Sequence, residues 1–170
     1  MDIWTTAAWK KVRGVPWRDC RTGLRLRFDR DVHEEVRRAC LDFGKWLRSK
    51  YCFPMRVPVY VKSSVKLRCK DGELAYGTFF GPFDHRQEPY VRIAAWDYLD
   101  LCAKWDTERA LTAILKCMAH ELTHYYQWVN MIKLTEIGEE RQATRYARRI
   151  IDKYAETREH PWPGGNEKNV

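Results

Sequence analysis

The chain has 170 residues, 45% of them hydrophobic and 14% aromatic. That is enough apolar material for one core, and eight tryptophans and nine tyrosines argue against a disordered chain. The formal charge of +8 raises nucleic acid as a partner, but the cations are scattered from Arg13 to Arg149, which favours solvated faces over a dedicated basic groove.

No segment is long and apolar enough to span a bilayer, and the first residues do not form a secretory leader. None of the six cysteines forms a C-x-x-C pair. The expectation is a cytoplasmic protein with reduced thiols and no membrane partner.

In chain order, residues 1–22 carry tryptophan and arginine without a period. LRLRF, Leu24 to Phe28, alternates apolar and basic residues and predicts a short strand. Val32, Val36, Ala39, Cys40, Phe43, Trp46 and Leu47 recur at helical spacing, predicting a helix from Arg30 to Lys50 capped by Asp29 or Asp31. Val57, Val59 and Val61 then alternate; Pro58 puts that strand at a sheet edge or marks its first residues. Val65 to Cys69 alternates again, Asp71-Gly72 signals a turn, and Leu74 to Phe80 follows. After the loop GPFDHRQEP, YVRIA from Tyr90 to Ala94 reads as another strand. These segments predict an α+β fold with a small, mostly antiparallel sheet of three or four strands.

Beyond Asp97 the pattern is helical, with Asp106 as N-cap and Glu108 in the first turn of a long helix. A last helix is predicted from Glu139 to Thr157, with Ala143, Tyr146, Ala147, Ile150, Ile151 and Tyr154 on one stripe. The layout is one domain over residues 1–160 followed by a mobile tail over 161–170.

The long helix contains MAHELTHYYQW, Met118 to Trp128. At about 100° per residue, Leu111, Ile114, Leu115, Met118, Leu122, Tyr125 and Val129 share the face turned to the sheet. His120 and His124 lie one turn apart on the other side, where two neutral imidazoles can reach one zinc ion. Glu121 points about 100° further round, suited to take a proton from a water at the metal as general base. A catalytic zinc needs a third protein ligand. No histidine follows His124 until His160, so the candidates are Glu136, Glu139 and Glu140.

HELTHYYQW followed by EERQATRYARRI resembles the gluzincin branch of zinc metallopeptidases, in particular the small ImmA/IrrE-like proteins and the minigluzincins. The resemblance covers residues 55 to 155 in layout. It implies a zincin-like fold, one zinc ion per chain, and a third ligand from the helix after HExxH. In the ImmA/IrrE-like group that helix reads E-x-E-A-N-x-F-A. Here Glu140, Ala143, Tyr146 and Ala147 match the frame, while Gln142 and Thr144 depart from it. Glu140 is therefore preferred as third ligand over Glu139 and Glu136, with Thr144 placed to support a zinc histidine.

The resemblance also implies that a strand before the zinc helix pairs with an extended substrate, a part open to YGTFF or YVRIA. Tyr125, Tyr146, Tyr154 and His160 are candidates for stabilising the oxyanion, with none singled out. The function expected is a zinc-dependent peptidase acting on a specific protein or peptide substrate. The alternative is a non-catalytic zincin-fold protein that binds a regulatory partner or nucleic acid.

Overall fold

The computed structural model describes residues 1–15, 17, 23–95 and 97–157. The tail expected over 161–170, and His160, lie outside them.

The architecture is α+β: a four-stranded mixed sheet with helices packed on one face. The strands are β1 (Leu24–Phe28), β2 (Val57–Lys62), β6 (Tyr90–Ala94) and β5 (Gly77–Phe80), in that spatial order. Two short strands, β3 (Leu67–Arg68) and β4 (Leu74–Ala75), form a separate hairpin. The helices are α1 (Glu34–Lys50), α2 (Tyr98–Lys104), α3 (Thr107–Val129) and α4 (Glu136–Ala155).

The expectation of a mostly antiparallel sheet is corrected. β1 pairs parallel with β2, and β2 parallel with β6; only β5 runs antiparallel to its neighbour. Helix α1 returns the chain between β1 and β2, so these two strands run in the same direction. The period-two pattern that suggests hairpins arises because one face of the sheet is open. Val57, Val59, Val61, Val91 and Ile93 are fully buried towards the helices, whereas Arg25, Arg27 and Tyr60 are exposed. Pro58 lies in an inner strand but precedes the part of β2 that pairs with β6, which starts at Val59. The hairpin turn at Asp71-Gly72 forms as expected: Gly72 has φ 90°, and Cys69 N–H bonds Glu73 O at 2.8 Å.

Two helix starts differ from expectation. α1 begins at Glu34, capped by His33, whose Nδ1 accepts from Glu35 N–H at 3.2 Å. Asp29 is drawn instead to Lys62 Nζ at 2.8 Å and to Ser63 N–H at 3.0 Å. α4 begins one turn early, at Glu136, because Thr135 Oγ1 caps Gly138 N–H at 3.1 Å. By contrast, α3 starts as read: Asp106 accepts from Arg109 N–H at 2.8 Å. It ends where Met131 takes a positive φ of 52°.

One hydrophobic cluster runs from Ile3 to Tyr154. The aperiodic N-terminus contributes to it. Trp4 is 1% exposed and packs on Tyr51 and Tyr126, and its Nε1 donates to Thr123 Oγ1 at 3.1 Å. Among the described residues, no helix is long and apolar enough to cross a membrane.

Candidate metal centre

Helices α3 and α4 pack against each other, and the cleft between them and β5 holds the residues of the motif. The apolar stripe of α3 is buried as its periodicity requires. Burial of that stripe turns His120 and His124 the other way, half-buried in the cleft wall. Across from them, the buried Ala143, Tyr146 and Ala147 seat α4 and bring Glu140 over the two imidazoles.

Three donor groups converge there. His120 Nε2 lies 3.2 Å from Glu140 Oε2, His124 Nε2 lies 3.2 Å from Glu140 Oε1, and the two Nε2 atoms are 3.2 Å apart. One ligand atom from each residue lies within 4.8 Å of the other two, close enough for the three side chains to share one metal ion. Among the described residues this is the group of histidine, cysteine and acidic side chains that could hold a metal ion. Glu136 and Glu139, the other candidates, are not part of it.

The support shown for a histidine of the cluster comes from Gln127. Thr144 lines the cleft, but His124 Nδ1 bonds Gln127 Oε1 at 2.7 Å. Gln127 is 4% exposed, and its Nε2 donates to Glu139 O and to Gln142 Oε1, each at 3.0 Å. Because a Gln oxygen can only accept, it places the proton on Nδ1 and leaves Nε2 bare towards the cluster. The same amide ties α3 to α4. Gln142, a departure from the resembled pattern, is thus a link in this chain. In the sequence Gln127 is marked only by its place three positions after His124 on the same helix, a spacing that does not by itself imply this bond.

Glu121 is buried beside the free strand. A Cβ at Gly77 would stand 2.6 Å from Glu121 Oε1 and 2.7 Å from Cys117 Sγ. Burial first, and then the charge of Glu140, push the Glu121 carboxyl up to about 8. His120 is held below the ordinary imidazole value, mainly by burial and then by His124, while Glu140 opposes both. That favours the neutral form of the His120 imidazole, the form that ligates.

The choice between YGTFF and YVRIA as edge is resolved by topology. β6 is internal, and β5 is the edge strand, lining a cleft of about 870 Å³ together with both histidines and Glu140. Ala94 N–H bonds Tyr76 O, so Tyr76, Thr78 and Phe80 make the hydrogen-bonded pairs with β6. By alternation, the backbone groups of Gly77 and Phe79 point out from the sheet.

The loop from Gly81 to Glu88 is docked to one side of the cleft. His85 stacks on Trp128 at 4.4 Å between ring centroids, and Trp128 Nε1 donates to Pro82 O at 2.9 Å. Two oxyanion candidates are spent elsewhere. Tyr125 hydroxyl donates to Met55 O at 2.6 Å, and Tyr146 hydroxyl to Met1 O at 2.8 Å. Tyr154 packs on Phe43 and Trp46, in the core.

The fold and cluster together define an α+β protein with a His-His-Glu group able to hold a metal ion at an open strand edge. No protein-family model, no curated protein and no solved structure matches the chain.

Proposed function

We propose that the chain is a zinc-dependent peptidase of the gluzincin type that cleaves a specific protein or peptide substrate in the cytoplasm. The observation that carries this reading is the convergence of His120, His124 and Glu140 within 3.2 Å contacts, with Glu121 buried next to them against the free edge of β5.

Zinc, when bound, would supply Lewis acidity to a substrate carbonyl and to a water. The chain's own residues do the rest. Outward N–H and C=O groups of Gly77 and Phe79 hold an extended segment by strand pairing. Glu121 removes the proton of the attacking water and delivers it to the departing amine. Its burial removes competing solvent and keeps the carboxyl in one place, hard against Gly77. A purely structural metal site has no use for a buried carboxyl next to its ligands, and this favours the peptidase over a non-catalytic binder of partners or nucleic acid.

The test has two parts. Metal content, measured by inductively coupled plasma mass spectrometry, is expected near one zinc per chain in the wild type and greatly reduced in Glu140→Ala. Peptide-mixture cleavage, read by mass spectrometry, is expected to fall by about 10²-fold or more in Glu121→Gln, with zinc retained. A wild type that stays metal-free after incubation with zinc would overturn the reading. Undiminished cleavage by Glu121→Gln would do so as well.

A further inference from the structure

The cleft beside the metal cluster is lined by three cations and three carboxylates, and two of the carboxylates belong to the centre itself. Lys70, Arg92 and Lys116 all line it. Among the described residues, none of the three is paired with a carboxylate. Lys70 Nζ rests 3.8 Å from the centroid of the Phe80 ring. Arg92 bonds only neutral groups, Thr78 Oγ1 and Arg68 O, each at 3.2 Å. Lys116 lies one turn before His120 on α3. The carboxylates of the same cleft are Glu121 and Glu140, already part of the centre, and Glu139 on α4.

The sheet fixes where these cations point. Phe79 packs on Trp128, and the Cβ direction of Gly77 leads to Glu121, so these two residues face α3. Thr78 and Phe80 must face the opposite side, where Arg92 reaches over Thr78 and Lys70 over Phe80. A strand added at the β5 edge repeats that alternation: every second side chain falls on the Arg92 and Lys70 side, and those between face the metal cluster.

We propose that this cleft selects extended segments bearing aspartate or glutamate at alternate positions, with Arg92 and Lys70 receiving the acidic side chains and Lys116 adding attraction on the helix side. The inference rests on reading the cleft as a peptide site and adds the chemical class of the peptide. Opposite charges across neighbouring strands attract, and like charges repel, so basic segments are rejected by the same residues.

The experiment measures binding rather than turnover. Zinc-loaded Glu121→Gln protein is titrated against fluorescein-labelled peptides alternating glutamate with valine, or glutamine with valine, and anisotropy is read at low and high salt. The glutamate peptide is expected to bind more tightly, with the difference shrinking at high salt. Lys70→Gln and Lys116→Gln, both exposed positions, should each weaken the glutamate peptide by about two- to fivefold and leave the glutamine peptide unchanged. Lys45→Gln on exposed α1 surface removes the same net charge and should change neither.

Equal binding of both peptides, no binding of either, or an equal effect of Lys45→Gln overturns the proposal. The peptidase reading fails separately. Wild-type protein that selects the glutamate peptide without cleaving it leaves the acidic preference standing, and cleavage without acidic preference leaves the peptidase standing.

Discussion

At the scale of single residues, the centre depends on an amide that is not itself a donor to the metal. Gln127 holds His124 through Nδ1 and is held in turn by Glu139 O and Gln142. Removing it frees the imidazole to rotate and to take the wrong tautomer. Gln127→Ala is therefore expected to lower zinc affinity by about 10- to 100-fold, measured by chelator competition, with helix content by circular dichroism unchanged. Equal affinity in the variant would mean that the packing of α3 alone orients His124. The residue-level motif was legible in the sequence because histidines four apart in a helix share a face by geometry. Glu140 was legible through the frame of the following helix, which preferred it over Glu139 and Glu136, and the seating of α4 brings it to the two imidazoles.

At the scale of elements, the contact between β5 and α3 is a tight constraint at the site. Any side chain at Gly77 collides with Glu121 and Cys117, on a fixed helix rather than a mobile loop. Gly77→Ala should destabilise the protein by about 1–3 kcal/mol and displace Glu121, so activity should be lost even where the protein still folds. Thermal denaturation together with peptide cleavage checks both parts; an active variant of unchanged stability would refute the close approach.

A second element-scale prediction concerns the end of β1. Hydrogen bonds from Lys62 and Ser63 hold the Asp29 carboxyl below its usual range. A group depressed in the folded state stabilises above its unfolded value, near 3.9, and loses that contribution as pH falls through the lower folded value. Asp29 is about one-third exposed, which screens the ion pair, so Asp29→Asn should cost no more than about 1 kcal/mol at neutral pH. Urea denaturation across pH should find wild type and variant converging in strong acid. A difference that persists there would point to lost packing instead.

At the scale of the whole molecule, the N-terminal segment staples the helices that form the centre. Ile3 N–H bonds Tyr146 hydroxyl at 3.3 Å, Asn130 Nδ2 donates to Ile3 O at 3.2 Å, and Asp2 forms an ion pair with Arg149 at 3.1 Å. Trp4 fills the space between Tyr51, Tyr126 and Thr123. Trp4→Ala is expected to cost about 3–5 kcal/mol and, by loosening α3 against α4, to weaken metal binding as well. Chemical denaturation and zinc titration would measure both. Zinc binding that survives unchanged in a strongly destabilised variant would separate the staple from the centre.

The sequence by itself determined the parts governed by local periodicity and capping. These are the α3 face bearing His120 and His124, its start at Asp106, the hairpin turn at Asp71-Gly72, and the alternating strands β1, β2 and β6. Only the tertiary structure decided strand direction, the edge position of β5, the burial of Ile3 and Trp4, and the contact of Gln127 with His124. The physical reason is that alternation records which face of a strand is buried and carries no information on its neighbour's direction. Likewise, a buried Trp4 or Gln127 is set by partners more than a hundred residues away for the first and on another helix for the second. No local pattern encodes such a pairing, because it arises only when the apolar faces of β5, α3 and α4 close on one another.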